Sequence, residues 1–332
     1  MGHKNMVALD NSFKMVMLGD SVMWGQGLFE TQKIHTLVIE ELTKHGLAVQ
    51  PVFLAHSGAI IGEPDVITNK PAIDGEVPVG EPTLFEQIRT AIGTAERDEA
   101  VKLVLICGGV NDVDVTRIVN LRDRGLDKYI EDTFYRKTKL LLERAYHCFP
   151  NAIIINCGYY QAFSEESEQT LMLDAIKAMG FSVPLLPNSL GEFVLEVLGD
   201  KITGTLVERC AHFRDTAHDF IREAIVDIVG MMPEAESRLF FADPKFKPEN
   251  AVGASKPFLY GINSDLSPQD PPEIAIPRAK ACKVYADRLE PLDQFTGPRA
   301  SVAHPNPAGA QHYAEAILTA IRYAMPTLFA EA

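Results

Sequence analysis

Short apolar runs alternate with longer amphipathic stretches along most of the chain. Apolar runs of strand length predict five β-strands, at Phe13–Leu18, Val49–Leu54, Val101–Cys107, Ala152–Asn156 and Arg238–Phe241. Apolar residues spaced every three to four positions predict helices between them, near Lys33–His45, Leu84–Ile92, Ile130–Cys148 and after Pro307. This alternation favours an α/β fold, in which a parallel sheet carries helices on both faces.

Two long segments add to this alternation. Residues from about 164 to 232 have a mostly helical pattern, and residues from about 243 to 299 are rich in proline, with one possible helix near Arg278–Leu289. We expect a single domain over residues 1–332 with these two segments as insertions. The first could cap the sheet's carboxyl edge and the second could wall a cleft, or both could serve only stability or a dimer contact. The oligomeric state stays open.

Charge and composition narrow the class of partner. The net charge of −14 over 332 residues argues against nucleic-acid and anionic-membrane surfaces. No apolar run has the length of a membrane span, and Met1–Ser12 has no apolar signal core, so we expect a cytoplasmic protein. The cysteines are odd in number and widely spaced, which is typical of reduced core residues and not of a disulfide frame or a zinc site.

Polar residues follow three of the predicted strands. Ser21 comes directly after Gly19-Asp20, Gly58 follows the second strand, and Asn111 follows the third. The carboxyl ends of parallel strands meet in one crevice, so these residues are expected to converge there. A serine at a helix start lies where free N–H groups and the positive helix end point outward, which suits a nucleophile whose substrate becomes an oxyanion. Ser21 could equally be only a helix cap.

Four motifs in order resemble the blocks of the SGNH (GDSL-type) hydrolases. They are Gly19-Asp20-Ser21, the isolated Gly58, Gly109-Val110-Asn111-Asp112, and His304 before Pro305. The resemblance implies a flavodoxin-like three-layer α/β/α sandwich and serine esterase or lipase chemistry, with no metal and no cofactor. It implies that Ser21 attacks an ester carbonyl and that His304 is the general base. The implied oxyanion hole consists of the Ser21 N–H, the Gly58 N–H and the Asn111 side-chain amide.

One position departs from that family. The family usually has an aspartate three residues before the histidine, and this chain has Ser301 there. Asp112, Asp287 and Asp293 are other candidates for orienting the imidazole, and a backbone carbonyl near Ser301 is an alternative to any carboxylate. With no carboxylate established beside His304, its pKa is expected near the free value of about 6.5.

The sequence therefore predicts a carboxylester hydrolase that acts on a small-molecule ester. Two alternatives use the same fold: an acyltransferase with the same serine, and a binding protein with a weakened site, which Ser301 would suit. Acyl length, alcohol and pathway are not encoded in any pattern of the chain.

Overall fold

The computed structural model describes residues 12–67, 75–178, 191–261, 272–286 and 301–329. Its sheet has five strands, β1 (Ser12–Gly19), β2 (Ala48–Phe53), β3 (Val101–Cys107), β4 (Ile153–Cys157) and β5 (Leu239–Ala242). All neighbouring strands are parallel, in the order β2-β1-β3-β4-β5. This is the flavodoxin-like strand order, which confirms the predicted fold class.

Eleven α-helices surround or connect the strands in the described part of the chain. They are α1 (Ser21–Trp24), α2 (Ile34–Lys44), α3 (Leu84–Ile92), α4 (Val110–Val113), α5 (Val115–Val119), α6 (Leu126–Ile130), α7 (Thr138–Cys148), α8 (Gln169–Ala178), α9 (Gly191–Met231), α10 (Pro272–Ala286) and α11 (Pro307–Ala324). A π-helical segment, Glu131–Lys137, joins α6 to α7. The single long helix predicted over Ile130–Cys148 is therefore continuous but locally widened.

The central strands β1, β3 and β4 are buried on both faces, and alternate side chains of each strand point to opposite sides. On β1, Met15 and Met17 join one apolar cluster, and Val16 and Leu18 join the other. The first cluster includes α2 and α11, and the second includes α3 and α7. These two clusters make the chain a three-layer α/β/α sandwich.

The strand order reverses between β1 and β3, and the two strands approach each other closely at their carboxyl ends. A Cβ at Gly19 would overlap the carbonyl oxygen of Cys107. Gly19 therefore permits the close approach, and the chain turns directly into α1 beyond it. A ligand crevice is expected at such a reversal in an open parallel sheet.

The two long segments predicted as insertions have different roles in the described structure. Helix α9 connects β4 to β5 and packs along α7 and the π-helical segment. Helix α10 begins at Pro272, earlier than the predicted start near Arg278, and the predicted end at Leu289 lies outside the described residues. Within the described ranges, no helix combines the length and apolar character needed to cross a membrane.

Candidate active site

Ser21 is the first residue of α1, at the carboxyl end of the central strand β1. The Asp20 side chain caps this helix by accepting a hydrogen bond from Val22 N at 2.9 Å. Gln87 on α3 fixes the preceding residue, since its side chain accepts from Gly19 N at 2.8 Å and donates to Gly19 O at 3.1 Å. Ser21 is thus held at a turn whose backbone is tied down on both sides.

His304 lies beside Ser21 although the two residues are far apart in the sequence. Its Nε2 is 2.7 Å from Ser21 Oγ, and its Nδ1 is 3.1 Å from the carbonyl oxygen of Val302. When Nδ1–H donates to Val302 O, Nε2 is left as the acceptor for the serine hydroxyl. The backbone carbonyl alternative raised by the sequence is thus present, and Val302 supplies it.

The Ser301 hydroxyl bonds a side chain of α10. Its Oγ accepts a hydrogen bond from Arg278 Nε at 2.9 Å. Asp112, another candidate for orienting His304, accepts from Ile61 N at 2.8 Å and pairs with Lys137 at 3.0 Å. It therefore ties the loop after β2 to α4. Asp287 and Asp293 lie outside the described residues.

Three possible oxyanion donors come from three adjacent strand ends. In the part of the chain that the structure describes, neither the Ser21 N–H nor the Gly58 N–H has a hydrogen-bond acceptor. The Asn111 amide donates one hydrogen to Ala59 O at 3.0 Å, which ties α4 to the loop that carries Gly58. Its second amide hydrogen can serve a ligand. These donor types are those that stabilise a developing oxyanion.

Gly58 is required by its backbone and by its surroundings. Its φ is +78°, which L-residues rarely adopt, and a Cβ there would lie 2.6 Å from Val79 N. The segment around Val79 therefore closes over the loop after β2. No side chain fits at this position, so the backbone N–H can be approached directly.

Asp20 is fully buried beside Ser21. Burial raises its pKa to about 7, and the charge of Asp112 adds to this, while hydrogen bonds from Tyr159 and Val22 N oppose it. Tyr159 Oη donates to Asp20 Oδ2 and accepts from Val110 N at 3.2 Å. The cap of the nucleophile's helix is thus a carboxyl group that titrates near neutral pH.

The pKa of His304 is lower than the sequence suggested. Burial lowers it to about 4, the positive charge of Arg278 lowers it further, and hydrogen bonds to the backbone of Val302 and Ser301 oppose the shift. The expected value near 6.5 assumed a solvated ring, whereas His304 is half-buried behind Ser21. The imidazole is therefore neutral over the whole range near pH 7.

Tyr260 connects the histidine loop to the serine loop. Its N–H donates to His304 O at 2.8 Å, and its hydroxyl donates to Gly27 O at 2.9 Å. The proline-rich segment that contains Tyr260 therefore reaches the site, as the sequence suggested. No local pattern marked Tyr260, Val302 or Arg278. Sequence reasoning missed two weak signals. Tyr159 follows a strand end, and Gln87 is a polar residue on an apolar helix face.

A polar cavity of about 400 Å³ lies beyond the ends of β4 and β5, and Tyr159 contributes to its lining. Both of its arginines are paired with carboxylates, Arg214 with Asp215 at 2.7 Å and Arg222 with Asp243 at 3.6 Å. Neither Ser21 nor His304 lines this cavity. In the described ranges, no three His, Cys, Asp or Glu side chains come together as a metal site would require.

No protein-family model matches this sequence, and a search of curated proteins finds no significant match. Among solved structures, the chain is similar to an extracellular lipase from Streptomyces rimosus, with 14% identity and a TM-score of 0.49 over 93% of this chain and 99% of that one. It is also similar to phospholipase A1 from Streptomyces albidoflavus, with 12% identity and a TM-score of 0.48 over the same shares of the two chains.

A third similar structure, from Parabacteroides merdae, is described as a GDSL-like lipase. It has 12% identity and a TM-score of 0.40 over 93% of this chain and 94% of that one. Because these TM-scores lie below 0.5, the activity proposed below rests on the geometry of the site. In its four ordered motifs the chain resembles the SGNH (GDSL-type) hydrolases, and the solved structures to which it is similar include lipases of that type.

Proposed function

We propose that this chain is a serine carboxylester hydrolase, with Ser21 as nucleophile and His304 as general base. The observation that carries the proposal is the 2.7 Å contact between His304 Nε2 and Ser21 Oγ, with Nδ1 held by Val302 O. A nucleophile within hydrogen-bond reach of a base, whose other nitrogen is fixed by a third group, is the arrangement that activates a serine.

The reaction follows from these positions. Ser21 Oγ attacks the ester carbonyl while its proton passes to His304 Nε2, and His304 then returns this proton to the leaving alcohol. Water, deprotonated by the same nitrogen, attacks the acyl-enzyme and releases the acid and the free serine. In each step the proton passes between His304 Nε2 and the reacting oxygen, so one base serves both acylation and deacylation.

The negative charge of the tetrahedral intermediate would be held by the Ser21 N–H, the Gly58 N–H and the Asn111 amide. The first two have no acceptor among the described residues, which supports this role. A small-molecule ester is the proposed substrate, and its carbonyl would lie where these donors follow three adjacent strands at one edge of the sheet. Loss of one such donor typically costs about a hundredfold to a thousandfold in kcat.

The test is covalent labelling combined with ester turnover. A fluorophosphonate should label Ser21, and Ser21→Ala should abolish both labelling and hydrolysis of p-nitrophenyl esters from acetate upward while the fold is unchanged. Ser164→Ala is the matched control, because the hydroxyl of that buried serine donates to Pro248 O and accepts from Glu166 N, away from Ser21 and His304. Wild-type turnover by Ser21→Ala would refute the proposal.

The same experiment separates the two alternatives. With an added alcohol or sugar, an acyltransferase would form acylated acceptor in place of free acid. A binding protein with a disabled site would give neither burst nor label. The neutral imidazole in contact with Ser21 supports an active enzyme over a binding protein. The amplitude of the product burst on a chromogenic ester measures directly how much acyl-enzyme forms.

A further inference from the structure

Arg278 is one of the largest fully buried side chains in the described part of the chain. It lies on α10 and is 1% exposed. Arginine is almost never this buried without partners that satisfy its charge and its donors. Its surroundings therefore indicate what the residue does.

The guanidinium holds two segments together at the site. Its Nε donates to Ser301 Oγ at 2.9 Å, and its Nη1 donates to Gly261 O at 2.8 Å. Its carbon lies 4.7 Å from the centre of the Tyr260 ring, over which the cation stacks. One planar fork thus spans the segment that contains Tyr260 and Gly261 and the loop that leads to His304.

In the described part of the chain, a short antiparallel pairing and one tyrosine also support the loop that Arg278 holds. Ala303 N donates to Tyr260 O at 2.9 Å, and Tyr160 Oη donates to Ala303 O at 3.1 Å. Ala303 has a φ of +59°, a left-handed conformation that is strained for a residue with a side chain. Surrounding contacts must hold such a backbone in place, and Arg278 provides the contact at Ser301.

We propose that Arg278 is a positioning residue for the Ser21–His304 pair, whose guanidinium bridges Ser301 and Gly261 and thereby holds the loop that presents the imidazole. The proposal rests on the proposed function above. Ser301, three residues before His304, then anchors the buried guanidinium of Arg278, and Val302 O orients the imidazole.

The positive charge gives this bridge a chemical signature. Among the described residues, the titratable groups around the loop are Arg278 and Cys282 on α10, Tyr160 after β4, Tyr260, Asp20 before α1 and Glu76 after β2. Burial raises the pKa of Cys282 to about 11 and that of Tyr160 well above its ordinary value, so both stay neutral. Glu76 accepts hydrogen bonds from Trp24 and Gln26. Besides burial, the Arg278 charge lowers the pKa of His304.

Two variants separate the bridge from the charge. Arg278→Lys keeps the charge but has one donor group where the fork has several, so it cannot span both acceptors in the same way. Arg278→Met removes the charge and the donors but keeps an apolar side chain of similar length. Each is measured for kcat and KM on p-nitrophenyl acetate, for the pH midpoint of kcat/KM, and for the NMR titration of the His304 imidazole.

We expect both variants to lose about tenfold to hundredfold in kcat, with KM within about twofold, because a displaced imidazole is costly and substrate contacts are unchanged. The midpoint of the His304 titration should rise in Arg278→Met, because a positive charge that disfavours the imidazolium is removed, and it should stay low in Arg278→Lys. If Arg278→Met does not fold, Ser301→Ala removes the Nε acceptor while keeping the charge, and kcat should fall with the titration unmoved.

Arg238→Met is the matched control. Arg238 also stacks on a tyrosine, 4.0 Å above Tyr146, and donates to the backbone carbonyls of Ala152 and Phe149, at the opposite end of the sheet. The Arg238→Met substitution should lower the melting temperature without changing kcat or the midpoint of the His304 titration. A folded Arg278→Met protein with wild-type kcat and titration would overturn the inference, as would equal titration shifts in Arg238→Met.

The inference and the proposed function fail separately. An active wild type labelled at Ser21, together with unaffected Arg278 variants, overturns only the positioning role. A wild type that neither labels nor turns over any ester overturns the proposed function. The imidazole titration in the Ser21→Ala background still tests whether Arg278 governs His304.

Discussion

The pH dependence of turnover tests whether His304 is the buried base described here. The perturbation is a change from pH 7.5 to pH 5.5, with kcat/KM measured because it reports the free enzyme. With an ordinary imidazole pKa of about 6.5, the neutral fraction would fall from about nine-tenths to about one-tenth. With the pKa of His304 lowered to about 4, the ring remains more than about nine-tenths neutral at both values.

Asp20 complicates this range because burial raises its pKa to about 7. Its charge changes between the two pH values, next to Ser21. Asp20→Asn removes that titration and keeps a side-chain oxygen that can cap α1. We therefore expect kcat/KM of Asp20→Asn to be nearly flat from pH 5.5 to 7.5, and any modest slope in the wild type to belong to Asp20.

The assay is quenched hydrolysis of p-nitrophenyl acetate, with product read at one alkaline pH and the Ser21→Ala rate subtracted at each pH. Circular dichroism at pH 5.5 shows that both proteins are folded under the assay conditions. A roughly ninefold fall in both wild type and Asp20→Asn would refute the argument, because it would show that His304 titrates like a solvated imidazole. A midpoint near 4 on further acidification would support it.

Three further substitutions have defined outcomes. Asn111→Ala should lower kcat on p-nitrophenyl acetate by about a hundredfold or more with little change in stability, and an unchanged kcat would remove the amide from the oxyanion hole. Gly58→Ala should destabilise the fold in urea titration, because φ is +78° and the new Cβ would lie 2.6 Å from Val79 N. Tyr159→Phe should cost about 1–3 kcal/mol in the free energy of unfolding at pH 8 and less at pH 5, where Asp20 is protonated, and equal losses at both values would contradict this.

The sheet and the nucleophile turn were predictable because their signals are local. A buried parallel strand is a short continuous apolar run, and Val101–Cys107 was predicted with its observed bounds. The second strand was predicted one residue late at each end, since Ala48 and Leu54 are both compatible with a strand. Ser21, Gly58 and Asn111 follow neighbouring strands, so parallel pairing brings them to one edge of the sheet.

The residues that bond Asp20 and Ser301, and the burial that lowers the pKa of His304, were not predictable from local sequence patterns. Tyr159 bonds Asp20 and Arg278 bonds Ser301 across long sequence separations, and neither pair has a period or a motif. The pKa of His304 depends on burial behind Ser21, which exists only in the folded chain. Helix α10 was only partly predicted because Pro277 lies inside it and its apolar residues follow no clear helical spacing.

Ser301 lies where the SGNH (GDSL-type) hydrolases usually have an aspartate, and this difference affects both the orientation and the protonation of the His304 imidazole. A carboxylate both orients the imidazole and stabilises the imidazolium that forms during attack. Here Val302 O is placed to provide the orientation, while the positive charge of Arg278 disfavours the imidazolium. In the proposed mechanism the base is consequently weaker, so more of the stabilisation of the transition state would fall on the proposed oxyanion donors from Ser21, Gly58 and the Asn111 amide. The same positive charge helps to keep the imidazole neutral in acid. A histidine supported by a carboxylate would already be protonated there and could not accept the serine proton.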